Sequence, residues 1–218
     1  MISGIDYDWK RSENVVTIID YGMGNLFSAS KACQYLGEET ELAGTPEKIV
    51  KAEKLILPGV GAFGEAMKNL RDRGLEQPVK EAVSNGVPIL GICLGMQLMF
   101  RSSDEAPGVA GLSLFDDDVT RFPQEAGGKR LKVPHMGWNS LKVNGSPVLF
   151  KGIKDGEQVY FVHSFCAEGV SSEYTAASTV YGVEFTSAAE RGNVFATQFH
   201  PEKSGAVGLR ILDNFLKF

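Results

Sequence analysis

Cys93 is the residue in this sequence best placed to do chemistry. It stands in Gly91-Ile92-Cys93-Leu94-Gly95, where the apolar run Val87–Ile92 gives way to a helical pattern from Leu94 to Phe100. A sharp strand-to-helix turn of this kind presents a nucleophile at the end of a strand, in a strained backbone conformation. The flanking glycines let neighbouring backbone pack closely, and the helix N-terminus behind the sulfur favours thiolate over thiol. The amide of Leu94, next after the sulfur, is the natural first donor to an oxyanion. The competing reading is a buried core cysteine, a common fate for this residue type. That reading is preferred for the other two cysteines, because Cys33 falls on an apolar helical stripe and Cys166 in a strand-like stretch.

A thiol nucleophile needs a base, and the chain has three histidines, His135, His163 and His200. The last stands in Gln198-Phe199-His200-Pro201-Glu202. A residue before proline is pushed to an extended conformation, and in extended chain residues i and i+2 point to the same side. Glu202 is therefore expected to accept a hydrogen bond from one ring nitrogen of His200. The other nitrogen is left to take the proton of Cys93, in the order nucleophile, base, orienting carboxylate. The bland alternative, a loop histidine beside an unrelated carboxylate, loses ground because an elbow cysteine occupies the same chain. His163 alternates with Phe161 and Phe165, which suits a core or interface role, and His135, between Pro134 and Met136, is a candidate interface residue.

The elements that must position these groups alternate. Asn14–Asp20 reads as a buried strand, Asn25–Leu36 as a helix with Leu26, Ala29, Cys33 and Leu36 on one stripe, and Glu39–Ala43 as a strand. A short helix after Thr45-Pro46, a strand at Lys54–Gly59, helices at about 63–73 and 76–84, and a third buried strand at Val87–Ile92 follow. Strands and helices in this order, joined by short turns, predict a mostly parallel sheet with helices on both faces. Residues 108–200 change character, with short alternating segments such as EQVYFVHSF and TAASTVYGVEF that predict a mixed or antiparallel sheet attached to the parallel one. A helix at about 206–216 closes the chain. Residues 1–13 read as a loose N-terminal extension and 14–218 as one domain.

Composition excludes several classes of function. The 218 residues are 43% hydrophobic and 22% charged with a net charge of -5, so a basic nucleic-acid surface is not expected. The first residues have no apolar signal-peptide core, and the run from Val87 to Phe100 is too short to cross a bilayer. Three cysteines without paired spacing suit a reducing compartment, so a cytoplasmic protein is expected. No Cys/His spacing suggests a metal, and GVGAFG (Gly59–Gly64) lacks both the dinucleotide spacing and the phosphate-loop lysine, so no cofactor is expected.

GICLGMQ and QFHPEKS together resemble the class I glutamine amidotransferases, carrying that family's nucleophile and its His and Glu. The resemblance runs from about Val15 to the C-terminus. It implies a flavodoxin-like core that hydrolyses glutamine to glutamate and ammonia through a thioester on Cys93, with His200 and Glu202 completing the triad. IDYGMGNL, LPGVGAF, PHMGWN and YFVHSF are similar to the branch formed by glutaminase subunits of imidazole glycerol phosphate synthases. That likeness implies a heterodimer with a (βα)8-barrel cyclase, which receives the ammonia and makes imidazole glycerol phosphate and an aminoimidazole carboxamide ribonucleotide. It also implies oxyanion donors at Gly59, Val60 and Leu94, a glutamine-holding role for Gln97, and a partner surface around His135 and Trp138. Ala196-Thr197 depart from the Gly-Val-like pair that usually precedes the His motif.

Three other functions stay open on sequence. A glutaminase serving another synthase should lack PHMGWN and PGVGAF. A stand-alone cysteine hydrolase on the same fold should need no partner, and a binding protein with a dead elbow has no use for the intact Cys93, His200 and Glu202.

Overall fold

The computed structural model describes residues 15–218, and the expected extension at residues 1–13 lies outside them. The first half alternates as the pattern predicts: β1 (Val15–Ile19), α1 (Leu26–Tyr35), β2 (Glu39–Ala43), α2 (Pro46–Val50), β3 (Lys54–Gly59), α3 (Phe63–Asp72), α4 (Glu76–Ser84), β4 (Ile89–Cys93) and α5 (Leu94–Leu98). Short strands follow, β5 (Ser102–Ser103) with β6 (Asp118–Arg121), then β7 (Glu125–Ala126) with β8 (Lys129–Arg130). After them come β9 (His135–Ser140), β10 (Lys142–Val143), β11 (Gln158–His163), β12 (Phe165–Cys166), β13 (Thr175–Tyr181), β14 (Val183–Arg191), β15 (Val194–Thr197) and α6 (Gly205–Leu216).

Among the described residues, eight strands form one sheet in the order β10-β13-β14-β15-β4-β3-β1-β2. The five from β15 to β2 are parallel, and β14, β13 and β10 extend them antiparallel. The expected antiparallel part therefore continues the main sheet, while β9 and β11 pair separately. Both faces of β1, β3 and β4 are covered, which is why those strands read as nearly continuous apolar runs, while β2 at the edge of the sheet is largely exposed. Leu55 and Leu57 of β3 pack on the side of α3 and α4, and Ile56 packs on the side of α1 and α6. Helix α3 turns Phe63, Ala66, Met67 and Leu70 inward, a spacing that keeps one face buried. The buried Lys54 at the start of β3 donates to the carbonyls of Phe215 and Leu216, satisfying the C-terminal end of α6.

Helix α5 ends at Leu98 and not at the expected Phe100. A following segment takes over its last carbonyls: Leu112 N–H donates to Leu98 O at 2.7 Å and Leu114 N–H to Met99 O at 2.7 Å. Tertiary hydrogen bonds therefore stop a helix that the local pattern would continue.

The parallel register brings three chain ends to one edge. Gly59 lies opposite Cys93 across β3 and β4, and Thr197 lies opposite Ile92 across β15 and β4. Open α/β sheets bind ligands beyond the carboxyl ends of their strands.

Candidate functional site

Cys93 ends β4 and begins α5 with φ 56° and ψ −110°. For a residue with a side chain this region is disfavoured by about 1–3 kcal/mol, so the surroundings must hold it. They do so through close backbone approach. A Cβ on Gly95 would stand 1.8 Å from Leu57 O, and one on Gly91 would stand 2.8 Å from Gly95 O. Only glycine at both positions lets α5 press against β3 directly behind the sulfur.

His200 Nδ1 lies 2.7 Å from Glu202 Oε1, and both side chains are buried. The contact arises differently from the sequence expectation. His200 is extended (φ −95°, ψ 99°), but Pro201–Lys203 form a 3-10 turn, and this turn brings the carboxylate back to the ring. Ser204 locks it, donating from Oγ to His200 O at 2.6 Å and accepting from Tyr160 N at 2.9 Å. His200 N–H in turn donates to Tyr160 O at 3.0 Å. Among the described residues His200 Nε2 has no hydrogen-bond partner. Burial alone would push the imidazole down; the Cys93 sulfur and the Glu202 carboxylate outweigh it and bring its pKa up to about 9.

Cys93 and His200 line one cavity of about 380 Å³, together with Val60, Leu94, Gln97 and Val162–Phe165. That volume suits a small ligand. Gln97 Nε2 donates to Phe165 O and to Gln198 Oε1, each at 3.0 Å, and Gln198 Nε2 stands 3.9 Å from Cys93 Sγ. Gly59 lies beside the elbow, where a Cβ would meet Gly95 N at 2.6 Å and Tyr21 Oη at 2.9 Å. Tyr21, fully buried, donates to Pro58 O at 2.9 Å and so anchors the strand that carries Gly59 and Val60. Burial, and secondarily the charge of Cys93, raise its phenol above the ordinary range.

The structure thus gathers Cys93, His200, Glu202, Gly59, Val60, Leu94 and Gln97 at one edge of the sheet. The two expected interface residues part company. Trp138 is 55% exposed, beside exposed Met136. His135 is 3% exposed and offers no side-chain surface to a partner. Alternation along β9 explains this: His135 faces inward on Phe161 and Tyr181, stacked at 4.8 and 4.0 Å, while Met136 faces out. Sequence reasoning missed Gln198, Ser204 and Tyr21 as supporting residues. All three sit inside or beside quoted motifs, but only the fold shows that they are buried and what they bond. Among the described residues no group of His, Cys, Asp or Glu is placed to hold a metal ion.

Residues 17–218 match the family described as glutamine amidotransferase class-I. The imidazole glycerol phosphate synthase subunit HisH of Geobacter metallireducens is 47% identical over 202 residues, covering 92% of this chain and 96% of the relative. The subunit of the same name from Moorella thermoacetica is 48% identical over 200 residues, covering 92% and 93%. Among solved structures, one titled glutamine amidotransferase superposes with TM-score 0.73 at 21% identity, covering 94% of this chain and 98% of the other. PurLQS from Thermotoga maritima gives 0.72 at 20%, covering 94% and 99%. At that identity the two structures speak for the fold alone.

Proposed function

The chain belongs to the class-I glutamine amidotransferases, and from that premise we propose that it is the glutaminase subunit of an imidazole glycerol phosphate synthase in histidine biosynthesis. The observation that carries the chemistry is a strained Cys93 sharing one cavity with a buried His200 whose far nitrogen is held by Glu202. The choice of synthase rests on the high identity to HisH subunits along nearly their whole length.

In the proposed reaction Cys93 Sγ attacks the side-chain carbonyl carbon of glutamine. His200 Nε2 takes the thiol proton and returns it to the departing nitrogen, which leaves as ammonia. Water then attacks the thioester, with His200 taking a proton from it and returning it to the departing Cys93 sulfur, and glutamate is released. Glu202 keeps Nδ1–H pointed at itself and stabilises the imidazolium in both halves. The backbone amide of Leu94 and the Gly59–Val60 strand supply the oxyanion donors, and Gln97 holds the substrate. Ammonia then passes to a (βα)8-barrel cyclase bound as the other half of a cytoplasmic heterodimer, where the synthase's lyase chemistry uses it. Exposed Met136 and Trp138 are consistent with that contact, and among the described residues no helix is long and apolar enough to cross a membrane.

Ammonia released without an acceptor is wasted, so the glutaminase benefits from resting in an inactive state. Val60 stands between glycines, and Gly61 has φ +100°, which gives the oxyanion strand freedom to turn its peptide. Turning one donor away lowers the rate by roughly a hundredfold or more. The test is glutamate release by the chain alone, with the cyclase subunit, and with the cyclase and its nucleotide. Stimulation by the last addition supports the reading; full turnover by the isolated chain supports a stand-alone hydrolase instead.

A further inference from the structure

Two buried histidines outside the triad are joined in a chain of hydrogen bonds that ends at the glutamine pocket. His163 Nδ1 lies 2.8 Å from Phe165 O. A carbonyl only accepts, so Nδ1 carries the proton. His163 Nε2 lies 3.0 Å from His135 Nδ1, and His135 Nε2 lies 3.2 Å from Asn139 Nδ2. The Asn139 amide is oriented by Ser140 N–H on its Oδ1 at 2.8 Å and by Val180 O, which accepts from its Nδ2 at 3.0 Å. With both rings neutral one pattern satisfies every atom: Asn139 donates to His135, His135 to His163, and His163 to Phe165 O. Burial keeps both neutral, pushing His135 down to about 4 and His163 to about 3.

Phe165 O also accepts from Gln97 Nε2 at 3.0 Å. Its two lone pairs are then both used, one by His163 and one by Gln97. Gln97 uses its other Nε2 proton on Gln198 Oε1 at 3.0 Å. Its Oε1, which has no partner among the described residues, is left as an acceptor beside the cavity that Gln97 lines. An acceptor there suits the α-ammonium group of an amino acid. His163 lies in the wall of this cavity and His135 behind it, and the pair acts on the polarity of the pocket through the Phe165 carbonyl.

Resting on the glutaminase reading above, we propose that His163 and His135 are positioning residues for glutamine: they hold the Phe165 carbonyl, and through it the Gln97 amide, in the orientation that binds the substrate. They take no part in the chemistry at Cys93. A loss at either ring should appear in KM for glutamine, with kcat left near its wild-type value.

The experiment compares glutamate release by wild type, His163→Phe and His163→Asn, each with saturating cyclase subunit and nucleotide. His163→Phe fills the volume but removes the donor, and should raise KM about tenfold, the size of one buried hydrogen bond, with kcat within about threefold. Asparagine can place an N–H where Nδ1 was, so His163→Asn should return KM to within about threefold of wild type. A folded His163→Phe variant with unchanged KM, or a folded His163→Asn variant that fails to rescue, overturns the proposal. Nitrogen-15 NMR of the wild-type chain gives a test that needs no variant to fold: both rings should carry their proton on Nδ1. A proton on Nε2 of His163 breaks the chain and the proposal with it. If wild type itself releases no glutamate under these conditions, it is the glutaminase reading that has failed, and the NMR result separates that case from a missing hydrogen-bond chain.

Discussion

The three histidines of this chain fall into two buried sites that differ in one respect. At His200 the ring nitrogen Nδ1 faces a carboxylate oxygen at 2.7 Å, and at His163 it faces a peptide carbonyl at 2.8 Å. The distances are nearly equal, and the two residues are 2% and 6% exposed. Burial opposes the imidazolium in both places, yet His200 is pushed up to about 9 and His163 down to about 3. The sign is decided by the charges nearby: the Cys93 sulfur and Glu202 favour a proton on His200, while His163 meets burial, a carbonyl and the positive charge of the neighbouring histidines with no carboxylate to offset them. On the function proposed above, one site moves a proton and the other fixes where protons stay.

The largest effect that separates the two sites is on rate. Cys93→Ala should leave the fold intact and bring glutamate release below detection, and His200→Ala should lower it by roughly 10⁴-fold or more. An electrophilic glutamine analogue such as a chloroketone should label Cys93 and spare Cys33 and Cys166, whose thiols burial pushes up to about 12. Labelling at either of those two instead sinks the assignment.

The next effect comes from making the first site resemble the second. Glu202→Gln replaces the carboxylate by a neutral amide at the same place. The expected loss in glutamate release is roughly 10²–10⁴-fold, smaller than for His200→Ala, because the tautomer and the imidazolium lose their stabiliser while the ring remains. Full activity in Glu202→Gln means that the orienting role belongs to another group.

These two sites were not equally legible in the sequence. Local patterns carry the proposed catalytic one: the glycines around Cys93 announce close packing, and His-Pro-Glu keeps imidazole and carboxylate two residues apart. Even there the 3-10 turn at Pro201–Lys203 was hidden, since a proline explains the extended residue before it and not the turn after it. β2, β3 and α4 emerge with the bounds that the sequence predicts, and for β3 the reason is that both faces of the sheet are covered there. β15 has no separate signal in the sequence, although it joins the parallel sheet to its antiparallel extension. The histidine pair depends on β9 and β11 lying side by side, which sets His135 directly opposite His163. No spacing along the chain reports such a pairing, and this is why His135 was expected on the partner surface.

A smaller effect follows from making the second site resemble the first. Asn139→Asp puts a carboxylate where an amide now stands 3.2 Å from His135 Nε2. His135 should then titrate well above about 4, in the ordinary histidine range or higher. Proton NMR of the ring across pH 4–8 measures this directly, and an unchanged titration denies that a charged partner decides the sign. The same change removes the donor to Val180 O, so a stability loss of about 1 kcal/mol should accompany it.

The last expected effect leaves activity aside and concerns stability against pH, and its sign also distinguishes the sites. His135 and His163 have folded pKa values of about 4 and about 3, below the ordinary 6.5. As pH falls below 6.5 the unfolded chain takes up protons that the folded rings refuse, so stability drops until the folded values are reached. His200 works the other way, with a folded value of about 9. Its contribution is fully present below 6.5 and is lost as pH rises through 9, so between pH 6.5 and 4 it is constant and cannot offset the loss. From pH 7 to pH 5 each neutral histidine therefore removes on the order of 1–2 kcal/mol. Denaturant unfolding of wild type and of a His135→Gln/His163→Asn double variant at those two pH values isolates the effect, because the carboxylates titrate alike in both proteins. The double variant, though less stable at pH 7, should lose less on acidification. Equal losses in the two proteins require that at least one ring already be charged in the fold, and the line between a proton-moving and a proton-fixing histidine would have to be redrawn.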